Sequence, residues 1–124
     1  MGDPVVFEYT VVRVVPRVER GEFVNAGVIL YCQDRRFLEA RIDLDADRLR
    51  AVDPGADVEA ITSALEGFVA PCAGAGPAGA TSLGERFRWL AAPRSTIVQT
   101  GPAHAGLTTD PAAELERLLD RLVR

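Results

Sequence analysis

Arg20, Glu22 and Asn25 place a guanidinium, a carboxylate and an amide close together, and Gly27 follows two positions later. Two chemistries fit this spacing. In one, the polar groups form a recognition point for a polar partner, and the glycine lets a helix, an aromatic ring or a ligand approach the backbone closely. In the other, Arg20 and Glu22 pair across a turn at Gly21 and Asn25 satisfies a neighbouring backbone group. Strict alternation puts Asn25 and Gly27 on one face with Phe23, Ile29 and Tyr31, and Arg13 and Arg41 could flank that face.

His104 is the single histidine, the one side chain that titrates near neutrality without perturbation. It sits in Gly101-Pro102-Ala103-His104-Ala105-Gly106, which reads as a turn. Ser95 or Cys72 could in principle serve it as a nucleophile. No nucleophile elbow of the Gly-x-Ser-x-Gly type surrounds Ser63, Ser82 or Ser95. A hydrolase or transferase built around Arg20, Glu22 and His104 is therefore the alternative reading. Gly74-Ala75-Gly76-Pro77-Ala78-Gly79 matches the dinucleotide-binding glycine spacing, but a helix precedes it, Pro77 interrupts it and no acidic residue follows at the required distance. A flexible loop explains it better. A P-loop is excluded, because the chain has no lysine. Arg86, Arg88 and Arg94 interleave with Phe87 and Trp89, a pattern that can serve single-stranded nucleic acid. At helical spacing Phe87 belongs to the core instead, and Trp89 and Arg94 are left as candidate contacts for a partner.

Composition narrows the classes further. The net charge of -4 argues against a nucleic-acid coat. All 14 basic residues are arginine, the pattern of a GC-rich genome, and their forked side chains suit carboxylates and phosphates. Two cysteines and one histidine cannot complete a four-ligand structural zinc site. None of these patterns calls for a cofactor or a metal. Cys32 ends an apolar strand and should be buried; Cys72 lies in a Gly/Pro-rich stretch and should react quickly with a thiol reagent. Met1-Gly2-Asp3-Pro4 shows neither the basic region nor the apolar run of a secretory leader, and no segment approaches the ~20 apolar residues of a membrane span. A cytoplasmic setting with both thiols free, and no membrane partner, is the expectation.

At 124 residues the chain fits one domain spanning 1–124. Residues 5–16, 23–32 and 37–43 read as three strands joined by short polar turns, an antiparallel meander. The face of Val24, Ala26, Val28, Leu30 and Cys32 should meet the core. Helical patterns follow at 45–52, from Asp57 to a stop at Pro71, and from the capping box at Ser82–Glu85 to Pro93. Residues 71–80 form a flexible Gly/Ala/Pro loop. Residues 95–100 read as a short fourth strand. Asp110-Pro111 opens a last helix with Leu115, Leu118, Leu119 and Leu122 on one stripe. Strands come as a run, so the class is α+β: an antiparallel sheet of about four strands with helices packed on one face.

Tyr9-Thr10-Val11-Val12-Arg13, Arg20-Gly21-Glu22-Phe23-Val24-Asn25-Ala26-Gly27-Val28 and Arg88-Trp89-Leu90 leading to Arg94-Ser95 together resemble domain-of-unknown-function family 3037. The resemblance covers nearly the whole chain. It implies no reaction. It does imply a partnership, because similar proteins are often encoded beside HipA-like serine/threonine kinases. The sequence is thus expected to encode a small non-catalytic accessory protein that binds another protein, such a kinase being the candidate. Arg20, Glu22, Asn25, Gly27, Trp89 and Arg94 are its candidate binding residues; the pattern leaves its oligomeric state open.

Overall fold

A computed structural model describes residues 2–72, 82–93 and 96–124. Three strands come first: β1 (Val5–Val14), β2 (Val24–Cys32) and β3 (Phe37–Ile42). Each pairs antiparallel with the next, so the expected meander is present. Four helices follow: α1 (Ala46–Val52), α2 (Val58–Glu66), α3 (Val69–Cys72) and α4 (Leu83–Ala91). The chain then returns through β4 (Val98–Thr100) and β5 (His104–Thr108) to α5 (Pro111–Leu122). The sheet has five strands in the order β3-β2-β1-β4, and β5 also pairs with β1.

β1 is central because Phe7, Thr10, Val12 and Val14 are buried while its backbone is paired on both sides. Its far edge is completed in two pieces. Val12–Val14 pair with β4, and Val5–Tyr9 pair with β5. Pro102 lies between the pieces, where its missing N–H breaks no ladder bond. The junction is held by the Gly101 amide donating to the Val11 carbonyl at 2.9 Å and by Thr10 Oγ1 donating to the Gly101 carbonyl at 2.7 Å.

A β-bulge in β2 reassigns its faces. Val12 pairs with Gly27 but Arg13 pairs with Asn25, so Ala26 has no opposite number. Its carbonyl is not lost, because the Asp43 amide donates to it at 2.7 Å. Parity changes across the bulge. Ala26 faces the same core as Ile29 and Tyr31, while Val28, Leu30 and Cys32 face the other. The strictly alternating assignment of β2, with Ala26 beside Val28, is corrected accordingly, as is the sharing of a face by Asn25 and Gly27.

Helices α1, α2, α3 and α4 pack on one side of the sheet. Leu49, Ile61, Leu65, Phe68, Phe87 and Leu90 close over Val12, Val14, Ile29 and Tyr31. The second side is covered as well, by α5, whose Leu115, Leu118 and Leu119 close over Phe7, Val28, Leu30 and Cys32. Every side chain of β2 apart from Asn25 is therefore buried, as befits the strand between two layers. Aspartates or serine cap α1, α2, α4 and α5: Asp45, Asp57, Ser82 and Asp110 each accept from an amide in the first turn. Arg124 ties the end of α5 to Asp43, Glu116 and Asp120, each at 2.7 Å.

Two local expectations change. Residues 101–106 are not simply a turn, since His104 to Thr108 form β5. Pro71 and Cys72 belong to the short helix α3 rather than to a loop; proline is tolerated there because a first-turn N–H needs no intrahelical acceptor. The remainder of the expected loop, 73–80, with its glycine motif, lies outside the described residues. No helix among the described residues is long and apolar enough to cross a membrane.

Candidate functional site

Arg20 and Glu22 sit in the exposed loop joining β1 to β2, where Gly21 takes a positive φ of 72°. Arg20 Nε donates to Glu22 Oε1 at 2.6 Å. That bond raises the guanidinium pKa and lowers that of the carboxylate. Each group thus already has a partner across the turn. Asn25 points to the α5 side, and its Nδ2 donates to the Leu122 carbonyl at 3.0 Å, satisfying one of the orphan carbonyls at that helix end. Gly27 faces the opposite core. A Cβ there would lie 2.6 Å from the Arg41 carbonyl oxygen and 2.6 Å from Ile42 Cδ1, so the glycine accommodates the neighbouring strand β3.

His104 lies on β5 opposite Tyr9, with the two rings 5.4 Å apart. From Tyr9 to the end of β1 at Val14 the strand runs five residues, roughly 17 Å. Arg20 and Glu22 lie beyond that end. The three groups of the enzyme alternative are therefore not brought together. Trp89 projects from the outer side of α4, 56% exposed, beside Arg88, whose Nη1 is 3.8 Å from Glu8 Oε2. Arg94 and Ser95 lie outside the described residues. Cys72 is buried, not loop-exposed. Its Sγ donates to the Phe68 carbonyl at 3.2 Å, and burial pushes its thiol up to about 11. Both cysteines are free. Among the described residues no three His, Cys, Asp or Glu side chains converge as metal ligands would.

The feature that sequence inspection missed is a groove of about 700 Å³ between α2 and the start of β4. Ala60, Ile61 and Ala64 of α2 form its floor, and Pro16, Val18, Ile97 and Val98 its walls. Val18 and Ile97 are 44% and 45% exposed. Asp53 and Asp57 stand in the same lining. Asp57 is occupied as the cap of α2, and Asp53 accepts from the Gly55 amide and lies 3.9 Å from Arg17. No single motif announces this groove: its walls are contributed by residues about 80 positions apart, and its floor by two alanines at i and i+4.

A profile for proteins of unknown function, DUF3037, matches residues 9–123. The chain belongs to the DUF3037 family. The match begins within β1 and takes in β2, β3, β4, β5 and α5, so the two-sided architecture is the family's region, not an appendage to it. No curated protein and no solved structure matches the chain significantly. Membership in DUF3037 carries no reaction, and the geometry has to supply the functional argument.

Proposed function

We propose that this DUF3037 protein is a non-catalytic accessory protein of the cytoplasm that holds a partner protein in the groove between α2 and β4. HipA-like serine/threonine kinases, encoded beside similar proteins, are the first partners to test. One observation carries the reading. The groove is walled by exposed Val18 and Ile97 over an alanine floor, and its polar groups are engaged in capping and turn contacts. Such a surface offers apolar contact area and no activated nucleophile. A groove of this kind takes the apolar face of an amphipathic helix. Asp53 and Asp57 inside it, with Glu59 and Glu66 on the same helix α2, favour an occupant with basic residues beside its apolar stripe.

The test is co-purification with a HipA-like kinase, followed by titration of variants. Val18→Asp and Ile97→Asp should each weaken the complex by about 2 kcal/mol or more, because a charge would be buried against apolar contacts. Both positions are exposed in the free protein, so the circular dichroism spectrum should be unchanged. Arg20→Ala and Trp89→Ala belong in the same series; a loss at either extends the interface to the β1–β2 loop or to α4. Wild-type affinity in both groove variants would place the partner elsewhere. A protein that binds no partner and turns over a substrate in a His104-dependent way would overturn the reading altogether.

A further inference from the structure

β5 has one paired edge and one free edge among the described residues, because β1 is its only sheet partner there. The alternation of main-chain groups along β1 shows which residues of β5 face outward. The Gly101 amide donates to the Val11 carbonyl, and the Val15 amide, just past β1, donates to the Ile97 carbonyl at 2.6 Å. Odd-numbered residues of this stretch therefore turn their N–H and C=O groups toward the outer edge. The register with β5 is unbroken from Val5 to Tyr9, so Val5, Phe7 and Tyr9 bond Thr108, Gly106 and His104. Ala105 and Leu107, which alternate with these, point their N–H and C=O groups away from β1. Their side chains lie on the α4 side of the sheet: Leu107 stands exposed beside exposed Val6, and Ala105 stands opposite Glu8, the neighbour of Arg88 on α4.

A free strand edge is a template for another strand. The pattern of β5 selects a copy of itself. Two antiparallel copies must set outward-pointing residues opposite one another. A two-fold axis at Gly106 is the register that uses both such residues of each copy. Ala105 then meets Leu107 of the second copy, Leu107 meets Ala105 of the second copy, and each pair exchanges its N–H and C=O bonds. This register sets a large side chain against a small one on both sides of the axis, and glycine against glycine on the axis itself. It also brings no charge against its own image, since β5 has no Asp, Glu, Lys or Arg. The opposite edge of the sheet offers no equivalent, because α3 packs against β3, which carries Glu39 and Arg41.

We propose that the protein forms a two-fold dimer by antiparallel pairing of β5 with β5 of a second copy, joining two five-stranded sheets into one. The α2–β4 groove lies toward the Val14 end of β1, away from the axis, so the dimer and the groove are independent surfaces. The contact is small, and a dissociation constant on the order of 100 µM is expected.

The experiment is sedimentation equilibrium of the full chain at concentrations below and above that constant, with amide hydrogen exchange recorded by NMR at both extremes. The mass should rise from one chain to two and stop. The Ala105 and Leu107 amides should exchange fast in dilute protein and several-fold more slowly in concentrated protein, while the Gly106 amide, bonded to β1, is protected throughout. Ala105→Pro deletes an outward N–H without touching the β1 ladder and should raise the dissociation constant about tenfold or more. Leu107→Glu, on the exposed face, should do the same, and it carries the test if the proline variant fails to fold. A single-chain mass at every concentration overturns the proposal. So does a dimer whose Ala105 and Leu107 amides exchange as fast as in dilute protein, and so does growth beyond two chains, which a closed two-fold contact forbids.

Discussion

Gly27 and Asn25 show how far single residues can be read. An amide and a glycine among strand-forming residues are conspicuous, and both are used: Asn25 on the Leu122 carbonyl and Gly27 against Arg41 and Ile42. Their opposite orientations were not legible, because the extra residue of a bulge leaves no mark in an alternating apolar run. Gly27→Val should destabilise the protein by about 1–3 kcal/mol, since the new side chain meets backbone that cannot rotate away. A urea midpoint equal to wild type would show that β3 can give way there. Cys72 departs from its expected setting for a different reason. Its Gly/Pro-rich neighbours suggest a loop, but Pro71 fits within the first turn of α3 and the thiol is carried into the core. Buried in this way, Cys72 holds its proton to about 11, whereas the unfolded chain releases it near the ordinary thiol value of 9.0. The raised pKa therefore contributes stability that is complete below the unfolded value and is lost as pH rises from there through about 11. Cys72→Ala should flatten that alkaline fall in denaturation curves recorded at successive pH values. Native Cys72 should react slowly with a thiol reagent at neutral pH.

Among the elements, the three-strand meander and the last helix were legible and β5 was not. β1, β2 and β3 carry β-branched and aromatic residues between polar turns, and Asp110-Pro111 opens α5 with a cap and a first-turn proline. β5, His104-Ala105-Gly106-Leu107-Thr108, has none of this patterning. It is a strand because β1 needs a partner along its outer edge, and buried backbone groups are not left unpaired. Gly106 also has a steric reason to be glycine: a Cβ there would come within 2.9 Å of the Phe7 ring. The covering of the sheet on two sides makes a separable prediction. Leu115 is wholly buried in the cluster under α5, and Cys32 belongs to that cluster while Cys72 belongs to the other. Leu115→Ala should cost about 2–5 kcal/mol and speed the labelling of Cys32. If opening is local to α5, Cys72 labelling below the melting range should be unchanged; equal acceleration of both thiols would show that the two cores open as one unit.

At the scale of the whole molecule, the outer edge of the sheet is lightly defended. Val6 and Leu107 are cross-strand partners, 59% and 65% exposed, and β5 carries no Asp, Glu, Lys or Arg. Natural edge strands are usually blunted by such charges. Leu107→Lys should therefore raise the concentration at which heated protein begins to scatter light, with little change in melting temperature. A lower aggregation threshold in that variant would mean that the edge is already protected.

The division of β1 between partners from opposite ends of the chain also reaches back to the ribosome. Thr10 Oγ1 bonds the Gly101 carbonyl across 91 positions, and β5 completes β1 only after residue 104 has been made. At translation rates of about 5–20 residues per second, the nascent meander waits several seconds with one long edge of β1 bare. During that interval the chain exposes more unpaired strand than the finished protein ever does, and contacts so distant in sequence form slowly even once they can. The production of this protein should accordingly depend on chaperone capacity more than its small size suggests. Moving 98–124 ahead of β1 by circular permutation should relieve that dependence, to be read as the soluble fraction in chaperone-limited cells.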